Sequence, residues 1–505
     1  MTDTTLYDLF IVGGGINGTG IAADASGRGL RVALAEMADL GSGTSSASSK
    51  LIHGGLRYLE YYEFRLVREA LAEREVLLAK APHLIWPMRF VLPDVIGVRP
   101  HWIVGAGLFL YDHLYARKKI PASKSIDLSG DPAGRPLKPD LRRGFTYWDC
   151  WVDDARLVVL NAKAARERGA RIMTRTRVTG CTAVDGQWRI QIEDAAGRRE
   201  FRARGLINAA GPWADKIDGV SESRLTKKPA AHLRLVKGSH IVVPRIAGAD
   251  DAYLMQNADK RVVFVLPFEE RFTIIGTTDV TYHGDPAAVT PSDEEEQYLL
   301  ELAGKFFKSP LRHEDIVWRY AGVRPLYDDA SNDPSAVTRD YHLALDAPDG
   351  TAPRLSIYGG KITTYRRLAE EALGLICPHI GITRGAAWTA GRTLPGGNLP
   401  EGNFEGFVAD LTRQYPSFKA LHLRRLARRH GTLVADVMGD ATTPADMGGA
   451  LGEGLSEREV RYMKSDEWAT QPEDILWRRS KLGLHAMARG ADSYARLRDA
   501  IAELL

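Results

Sequence analysis

Three glycines near the amino terminus have the spacing of a dinucleotide-binding turn. Gly13, Gly15 and Gly18 form the pattern G-x-G-x-x-G directly after the apolar residues 9–12. In this pattern the first glycine allows a tight turn, the second lets the backbone approach a pyrophosphate, and the third allows a helix to pack closely on a strand. The pattern indicates cofactor binding, because the N-terminus of the following helix presents backbone N–H groups to phosphates.

A strand, a helix and a second strand must hold this turn in place. Residues 9–12 predict a buried strand, and residues 16–27 predict a helix with Asn17 in its first turn. Residues 31–35 predict a second strand that ends at Glu36. A carboxylate about 20 residues after the glycines can bind a ribose 2′-OH and would repel the 2′-phosphate of NADP. We therefore count Asn17 and Glu36 among the cofactor-binding residues. Glu36 argues against NADP but does not separate FAD from NAD.

Length and composition limit the class of protein. A chain of 505 residues is too long for one ordinary core, so two or three domains are expected. A net charge of +3 is too small to indicate nucleic-acid binding. The three cysteines show no metal or disulfide spacing, which suits a reducing cytosol and predicts no metal site. No run of 18 apolar residues predicts a membrane span, although attachment to a membrane surface stays open.

The segment after Glu36, residues 38–60, is rich in small, hydroxylated and basic residues. Its glycines at 54 and 55 let the backbone lie against a flat ring, and residues 61–80 predict an amphipathic helix. A Ser-rich surface linker is the alternative, but linkers rarely continue directly into a sequence such as LIHGGLRY. The side chains that can reach phosphate or flavin oxygens are Thr44, Ser45, Ser48, Ser49 and Lys50.

Several longer motifs carry a family resemblance. They are GGGINGTGIAADASGRGLRV, TSSASSKLIHGGLRYLEYYEFRLVREALAERE, APHLIWPMRFVLP, YWDCWVDDARL, NAAGPWA, KGSHIVVP, IIGTTD, AGVRPL, TRDY and GGKITTYR. Together they resemble the bacterial FAD-dependent glycerol-3-phosphate dehydrogenases, which share a superfamily with the glycine and D-amino-acid oxidases. The similarity covers roughly residues 7–395 and weakens across the C-terminal part of the chain.

The resemblance implies FAD as the cofactor and names further contacts. Val178 lies where the superfamily places backbone against the adenine side of FAD, and Gly211 lies in a turn that resembles its second nucleotide contact. Gly360, Lys361 and Thr363 stand at the Gly-Gly turn between a strand and a helix, and the N-terminus of that helix can face the flavin. Because no His or Cys stands in the glycine motif or in TSSASSK, we expect FAD to be held non-covalently.

The expected fold class is α/β with an additional α domain. A Rossmann-like FAD-binding domain is expected to be covered by an antiparallel-sheet substrate domain, as in the glycine and D-amino-acid oxidases, and to be followed by a C-terminal helical domain. The assigned segments are 1–80, 145–215 and 352–395 for the FAD-binding domain, 81–144 and 216–351 for the substrate domain, and 396–505 for the helical domain.

The implied substrate, glycerol 3-phosphate, needs a cationic site. Its dianionic phosphate calls for clustered arginine and lysine, since guanidinium groups bind phosphate oxygens bidentately. Substrate-binding candidates stand in glycine- or proline-bounded turns of the resembling motifs. They are Arg57, Tyr58, Arg324, Arg339 and Lys361.

Oxidation of a secondary alcohol also requires a proton acceptor and a hydride acceptor. The hydride is expected to pass to flavin N5. His240 is the first candidate for the base because histidine titrates near the working pH. His53 is the second, and a cationic pocket around Arg324 and Lys361 could share the task by lowering the pKa of the alcohol. We take Arg324 to contact both the phosphate and the oxygen that becomes the ketone.

The resemblance further implies a quinone as electron acceptor and a peripheral, monotopic position on the cytoplasmic face of the inner membrane. Residues 101–119 combine aromatic residues with a basic end, so they predict either an interfacial segment or a buried core helix. Residues 421–430 predict a solvated basic face, with a membrane-contacting or homodimer face as the alternative. The functional alternatives are an oxidase that uses oxygen, an amine-oxidising relative, and a flavin-binding scaffold without turnover.

Overall fold

The structure, a computed structural model, describes residues 2–95, 99–222, 233–257, 261–328, 340–348, 350–383 and 385–505. The strands in this part of the chain are β1 Thr2–Val12, β2 Val32–Ala35, β3 Leu51–Ile52, β4 Ile85–Pro93, β5 Lys124–Asp127, β6 Arg143–Val152, β7 Arg171–Met173, β8 Arg177–Val184, β9 Gln187–Asp194, β10 Gly197–Asn208, β11 Ser221–Glu222, β12 Leu233–Pro244, β13 Ala252–Gln256, β14 Val262–Phe268, β15 Phe272–Gly276, β16 Val280–Thr281, β17 Trp318–Tyr327, β18 His342–Asp346, β19 Arg354–Tyr358, β20 Ala450–Gly452 and β21 Leu455–Ser456. The helices are α1 Ile16–Gly27, α2 Phe64–Lys80, α3 His101–His113, α4 Asp154–Arg166, α5 Ala214–Val220, α6 Asp293–Phe306, α7 Tyr365–Ile376, α8 Phe404–Gln414, α9 Ala420–His430, α10 Val434–Met438, α11 Glu457–Glu467, α12 Leu482–Met487 and α13 Ala491–Ala502.

The first sheet contains the predicted Rossmann-like core. Five strands run parallel in the order β7-β2-β1-β10-β19, and an antiparallel hairpin of β8 and β9 extends the other half of β10. All four residues of β2 are buried, as expected for a parallel strand covered on both faces. The predicted α/β fold class is confirmed, and the glycine turn lies at the carboxyl end of β1, where parallel sheets bind ligands.

The second sheet forms the predicted substrate domain. Its path is β16-β12-β15-β14-β13-β4-β6-β3, with β17 paired to β12 and β5 paired to β6. Most of its neighbours are antiparallel, and the longest pairing joins β12 to β17 over residues 233–242 and 318–327. This pairing brings His240 and Arg324 onto adjacent strands.

Three strands depart from the domain segments assigned from sequence. β3 and β6 belong to the second sheet, although their residues fall in segments that we assigned to the FAD-binding domain. β18 pairs with β19 in the first sheet, although residues 216–351 were assigned to the substrate domain. Strand partners are set by contacts between distant segments, which a local pattern does not reveal.

The C-terminal region is helical, with the short hairpin of β20 and β21 inserted between α10 and α11. Its interior forms two apolar clusters that contain Leu426 and Val460 respectively. Buried ion pairs join this domain to α4. Arg156 binds Glu467 and the carbonyl of Arg429, and all three side chains are at most 9% exposed.

α3 corresponds to the aromatic part of the segment 101–119. The buried-core interpretation of this segment is wrong, because Trp102 is 73% exposed and Phe109 is 64% exposed, while only Leu108 and Tyr111 are buried. The helix follows Pro100, and the part of the chain that the structure describes leaves its aromatic face exposed. No helix in the described part of the chain combines the length and hydrophobicity needed to cross a membrane.

α9 contains the basic residues of the segment 421–430. The solvated-face interpretation is wrong for Arg429, which is buried, and it is incomplete for the other arginines, because the protein itself supplies their partners. Arg424 pairs with Glu405, Arg425 with Glu270, and Arg429 with Glu459. Arg428 lies over the ring of Phe404 at 3.5 Å and over the ring of Trp86 at 4.1 Å. Because carboxylates of the protein pair with most of its arginines, α9 offers little free positive charge for contact with an anionic membrane. The sequence pattern could not show this, since the carboxylates lie elsewhere in the chain.

Candidate active site

A cavity of about 810 Å³ lies between the two sheets and contains most of the predicted site residues. Its wall is built from the loops after β1 and β2, the turn after β10, the loop after β19, and the strands β12 and β17. The predicted residues that line it are Gly13, Gly15, Asn17, Glu36, Thr44, Ser45, Ser48, Ser49, His53, Tyr58, Val178, Gly211, His240, Arg324, Gly360, Lys361 and Thr363.

The glycine turn has the geometry that the motif requires. Gly13 has a φ of +108°, and a Cβ there would lie 2.4 Å from the carbonyl oxygen of Ala209. Gly15 caps α1, so the helix N-terminus opens into the cavity. Gly18 does not line the cavity. A Cβ at Gly18 would lie 1.9 Å from the Gly13 carbonyl oxygen, so its part is the close packing of α1 on β1.

Glu36 lies at the end of β2, as predicted, and its carboxylate is held by the backbone. The N–H of Gly14 donates to Oε2 at 2.6 Å and the N–H of Ala38 donates to Oε1 at 2.8 Å. Burial raises the pKa of Glu36 in spite of these two hydrogen bonds. The carboxylate is thus fixed at the cavity edge in the place that the motif assigns to ribose binding.

The hydroxyl-rich loop 44–50 is divided between cavity and scaffold. Ser45 Oγ accepts a hydrogen bond from the Ile16 N–H at 3.0 Å, and Thr44 Oγ1 donates to the Val323 carbonyl at 2.5 Å. Lys50 is a correction to the predicted cofactor contacts. Its ammonium is 1% exposed and pairs with Asp154 at 2.8 Å, because a buried charge needs a fixed counter-ion.

The loop after β19 closes the cavity against α1. Asn17 Nδ2 donates to the Gly359 carbonyl at 3.2 Å. Gly360 has a φ of +99°, and a Cβ at this residue would lie only 3.1 Å from Asn17 Nδ2. Asn17 Oδ1 is a buried acceptor without a hydrogen-bond partner among the described residues. Thr363 exchanges hydrogen bonds with the backbone of His53, which fixes the two segments relative to each other.

Lys361 and Tyr58 form the best-defined pair among the substrate candidates. The Lys361 ammonium lies 3.7 Å from the centre of the Tyr58 ring, a cation–π contact. Arg57 is on the same helical turn, Leu56–Tyr61, but does not line the cavity. Successive residues of a 3₁₀ turn point about 120° apart, so both side chains cannot face one site. Arg339 lies outside the described residues.

Arg324 projects from β17 and is held by the turn that follows β15. Its Nη2 donates to the Thr278 carbonyl at 2.9 Å, and Nη1 pairs with Asp279. A Cβ at Gly238 would lie 2.3 Å from Nη2, so only glycine leaves room for the guanidinium there. Sequence reasoning missed Thr278, Asp279 and Gly238 as positioning residues, although IIGTTD and KGSHIVVP were the signals that could have identified them.

His240 is deeply buried beside Arg324. Its ring stacks on Tyr320 at 4.7 Å, and Nε2 lies 2.9 Å from Ser49 Oγ. Burial, together with the charges of Arg324 and Lys50, lowers the pKa of His240 to about 3. The reason given from sequence, that this histidine titrates near the working pH, is therefore wrong. The imidazole is neutral at pH 7, and the choice of base between His240 and His53 stays a proposal.

The residues of the cavity fit FAD. The helix N-terminus, the glycine cradle, the Glu36 carboxylate and the unpaired acceptor of Asn17 are donors and acceptors suited to a dinucleotide. The Ala-Ala-Gly turn at 209–211 and the Gly-Gly turn at 359–360 enclose the same space.

Comparisons with known proteins agree with this fit. Residues 8–366 match the family model described as FAD dependent oxidoreductase, and residues 387–505 match the C-terminal domain of alpha-glycerophosphate oxidase. A glycerol-3-phosphate dehydrogenase of Pseudomonas aeruginosa is 53% identical, covering 95% of this chain and 92% of its own. A D-erythritol 1-phosphate dehydrogenase of Brucella abortus is 49% identical, with 96% of each chain covered.

A solved structure adds the fold. The glycerol-3-phosphate dehydrogenase from Bacillus halodurans complexed with FAD superposes with a TM-score of 0.76 at 26% identity, covering 99% of this chain and 91% of that one. The chain therefore belongs to the FAD-dependent oxidoreductase family, in the group that contains the glycerol-3-phosphate dehydrogenases, and FAD is its cofactor.

Proposed function

We propose that the protein oxidises sn-glycerol 3-phosphate to dihydroxyacetone phosphate and passes the electrons to a quinone. The observation that carries the proposal is the grouping of Arg324, Lys361 and two histidines in the wall of the FAD cavity. Two cations suit a phosphate dianion, and relatives that are about half identical to this chain act on phosphorylated polyols by name.

The side chains of the wall have separate tasks in this proposal. Arg324 is pre-oriented by Thr278 and Asp279, so its guanidinium binds the substrate without first losing rotamer freedom. Lys361, held over the Tyr58 ring, adds a second positive charge. These charges favour the alkoxide form of the substrate hydroxyl. Bound FAD supplies flavin N5 as the hydride acceptor.

The proton of the substrate hydroxyl is assigned to His240. Its neutral imidazole can accept a proton, and Ser49 and Tyr320 fix its orientation. A low pKa makes it a weak base alone, so the proposal requires the neighbouring cations to lower the pKa of the alcohol at the same time. His53, which also lines the cavity, is the alternative acceptor.

Anaerobic bleaching of the bound flavin tests the substrate. The panel contains glycerol 3-phosphate, glycerol, a four-carbon polyol phosphate and a neutral amino acid. Fast bleaching by phosphorylated polyols alone supports the proposal. Bleaching by the amino acid points to an amine-oxidising enzyme, and absence of bleaching by every compound points to a scaffold without turnover.

A four-carbon substrate is the second candidate. It is favoured by the Brucella abortus relative, whose identity to this chain nearly equals that of the Pseudomonas aeruginosa relative. The ratio of kcat/KM for D-erythritol 1-phosphate to that for glycerol 3-phosphate decides between the two. Stoichiometric hydrogen peroxide in air, with no reduction of a soluble quinone analogue, would identify an oxidase instead.

The proposed place of the enzyme is the cytoplasmic face of the inner membrane, where it binds peripherally through α3. Trp102, Ile103 and Phe109 form an exposed apolar face, and Lys118 and Lys119 follow it in the sequence as exposed cations. Aromatic side chains at headgroup depth beside basic residues are typical of interfacial helices. A homodimer stays a prediction.

Co-sedimentation with vesicles of anionic phospholipid tests this placement. We expect Trp102→Ser combined with Phe109→Ser to reduce the bound fraction while flavin content is unchanged. Leu421→Ser, which removes an exposed apolar side chain from α9, is the matched control. Equal binding of the double variant and the parent protein would contradict the assignment of α3.

A further inference from the structure

Buried ion pairs connect the C-terminal domain to a loop of the FAD cavity. Asp39 lies in the loop after Glu36, and its side chain is 1% exposed. Arg479 of the C-terminal domain donates to both of its carboxylate oxygens, at 2.5 and 2.8 Å. Arg478 donates to the same carboxylate. A single acidic residue of the cavity loop is thus bound by two adjacent arginines from a different domain.

The loop that contains Asp39 supports the glycine turn directly. The N–H of Gly41 donates to the Gly14 carbonyl at 3.0 Å, and Gly14 in turn donates to Glu36. The buried Leu40 side chain lies 3.0 Å from the place of a Cβ on Gly14. A shift of Asp39 would therefore move residues that form the glycine turn and its carboxylate.

A second connection reaches the next loop of the same cavity. Arg175 donates Nη2 to both carboxylate oxygens of Asp474 at 2.8 Å. The backbone N–H of Arg175 donates to Ala38, and the N–H of Thr176 donates to the carbonyl of Glu36, both at 2.8 Å. Ala38, Thr176 and Glu36 all line the cavity, so this connection also ends at the cavity wall.

The acidic and basic partners on the C-terminal side belong to one short segment. Asp474, Arg478 and Arg479 all lie in a π-helical turn, Asp474–Arg479, and Arg478 also pairs with Asp474. Burial raises the pKa of Asp39, but the charges of Arg479 and Arg478 outweigh it and lower that pKa below its usual value. The carboxylate is therefore ionised at neutral pH.

We propose that the C-terminal domain is a positioning element of the FAD site, with Asp39 and Arg175 as the positioning residues through which the turn Asp474–Arg479 holds the cavity loops in their FAD-binding arrangement. The inference depends on FAD as the cofactor and is independent of the proposed substrate.

Dissociation of FAD from the holoenzyme tests the proposal. Flavin fluorescence on dilution gives the Kd, measured well below the melting temperature. We expect Asp39→Asn to raise the Kd by about tenfold, because the arginines keep their charge without a full partner. Arg175→Met, at a side chain that is 33% exposed and so tolerates substitution, should raise it by about threefold. At saturating FAD, kcat/KM should stay near the parental value.

Asp466→Asn is the matched control. Asp466 joins the same two domains by pairing with Lys163 and Arg166 of α4, but none of these residues lines the cavity. We expect its Kd for FAD to equal that of the parent protein, whatever its effect on Tm. Parental Kd values in both test variants would overturn the proposal. So would a control that loses FAD as readily as Asp39→Asn, since the effect would then be general loosening of the interface.

Discussion

Two arginines of this chain, Arg324 and Arg156, differ in what the fold leaves for them to bind. Arg324 lies in the cavity wall, and its side chain is 25% exposed although Asp279 pairs with it. Arg156 is fully buried, and Glu467 together with the carbonyl of Arg429 surrounds its guanidinium. Folding completes the contacts of Arg156, whereas Arg324 remains open to a ligand. The comparison teaches that exposure at a cavity, not the residue type, separates a binding arginine from a structural one.

The largest expected effect concerns the buried pair. Glu467→Gln keeps the shape of the side chain but leaves Arg156 buried with no full counter-charge. We expect the free energy of unfolding to fall by about 3–5 kcal/mol, while the folded protein keeps its kcat/KM. Urea unfolding followed by fluorescence measures the loss. An unchanged free energy of unfolding would contradict the structural role of Arg156, because its burial would then not require the charge of Glu467.

Acid should weaken the packing of α9 against α11 inside the C-terminal domain. Burial raises the pKa of Glu459, but Arg429 and the hydrogen bond to His430 outweigh it and lower the pKa to about 2. A carboxyl whose folded pKa lies below its unfolded value contributes stability above the unfolded value, near pH 4.5. That contribution is lost as the pH falls toward 2, and amounts to about 3 kcal/mol.

Urea midpoints between pH 7 and pH 3 measure the part of this loss that occurs above pH 3, about 2 kcal/mol. Glu459→Gln is the control, since a glutamine cannot titrate and the variant should show a flatter pH dependence of stability. A variant with the same acid sensitivity as the parent protein would show that other carboxyls are responsible.

Arg324 should affect catalysis instead of stability. Arg324→Lys keeps one charge but loses the planar fork, so we expect kcat/KM for glycerol 3-phosphate to fall at least tenfold. This corresponds to a charge-assisted hydrogen bond of about 1.5–3 kcal/mol, and Arg324→Ala should lose more. Bound FAD and Tm should stay near the parental values. Near-normal kcat/KM in the lysine variant would contradict the assignment.

The smallest effect is expected for a surface pair on α9. Arg424 pairs with Glu405, and their side chains are 39% and 67% exposed. Solvent screens such a pair, so Arg424→Ala should change the free energy of unfolding by less than about 1 kcal/mol. A loss as large as that of Glu467→Gln would remove the distinction between buried and exposed arginines on which the comparison depends.

Much of the site could be predicted because its motifs are local. The glycine turn, Glu36 and the Gly-Gly turn before Lys361 each need their residues within a few positions, and the structure places all of them in the cavity wall. The prediction that Lys50 contacts the cofactor failed because its ion-pair partner, Asp154, is 104 residues away in the sequence. The prediction for Arg57 failed because Arg57 and Tyr58 are neighbours in one 3₁₀ turn, and only the turn's orientation decides which side chain faces the cavity.

The sequence alone determined the strand–turn–helix that binds the cofactor, because this unit depends on short-range backbone requirements of glycine and on periodic apolar residues. The family and FAD followed from the resemblance of longer motifs to a known family. The tertiary structure decided which strands share a sheet and how Asp279 and Thr278 orient Arg324. It also decided that three of the four arginines of α9 pair with carboxylates, while the described part of the chain leaves the aromatic face of α3 exposed. Those outcomes depend on contacts between residues far apart in the chain, and electrostatic pairing and burial are properties of such contacts.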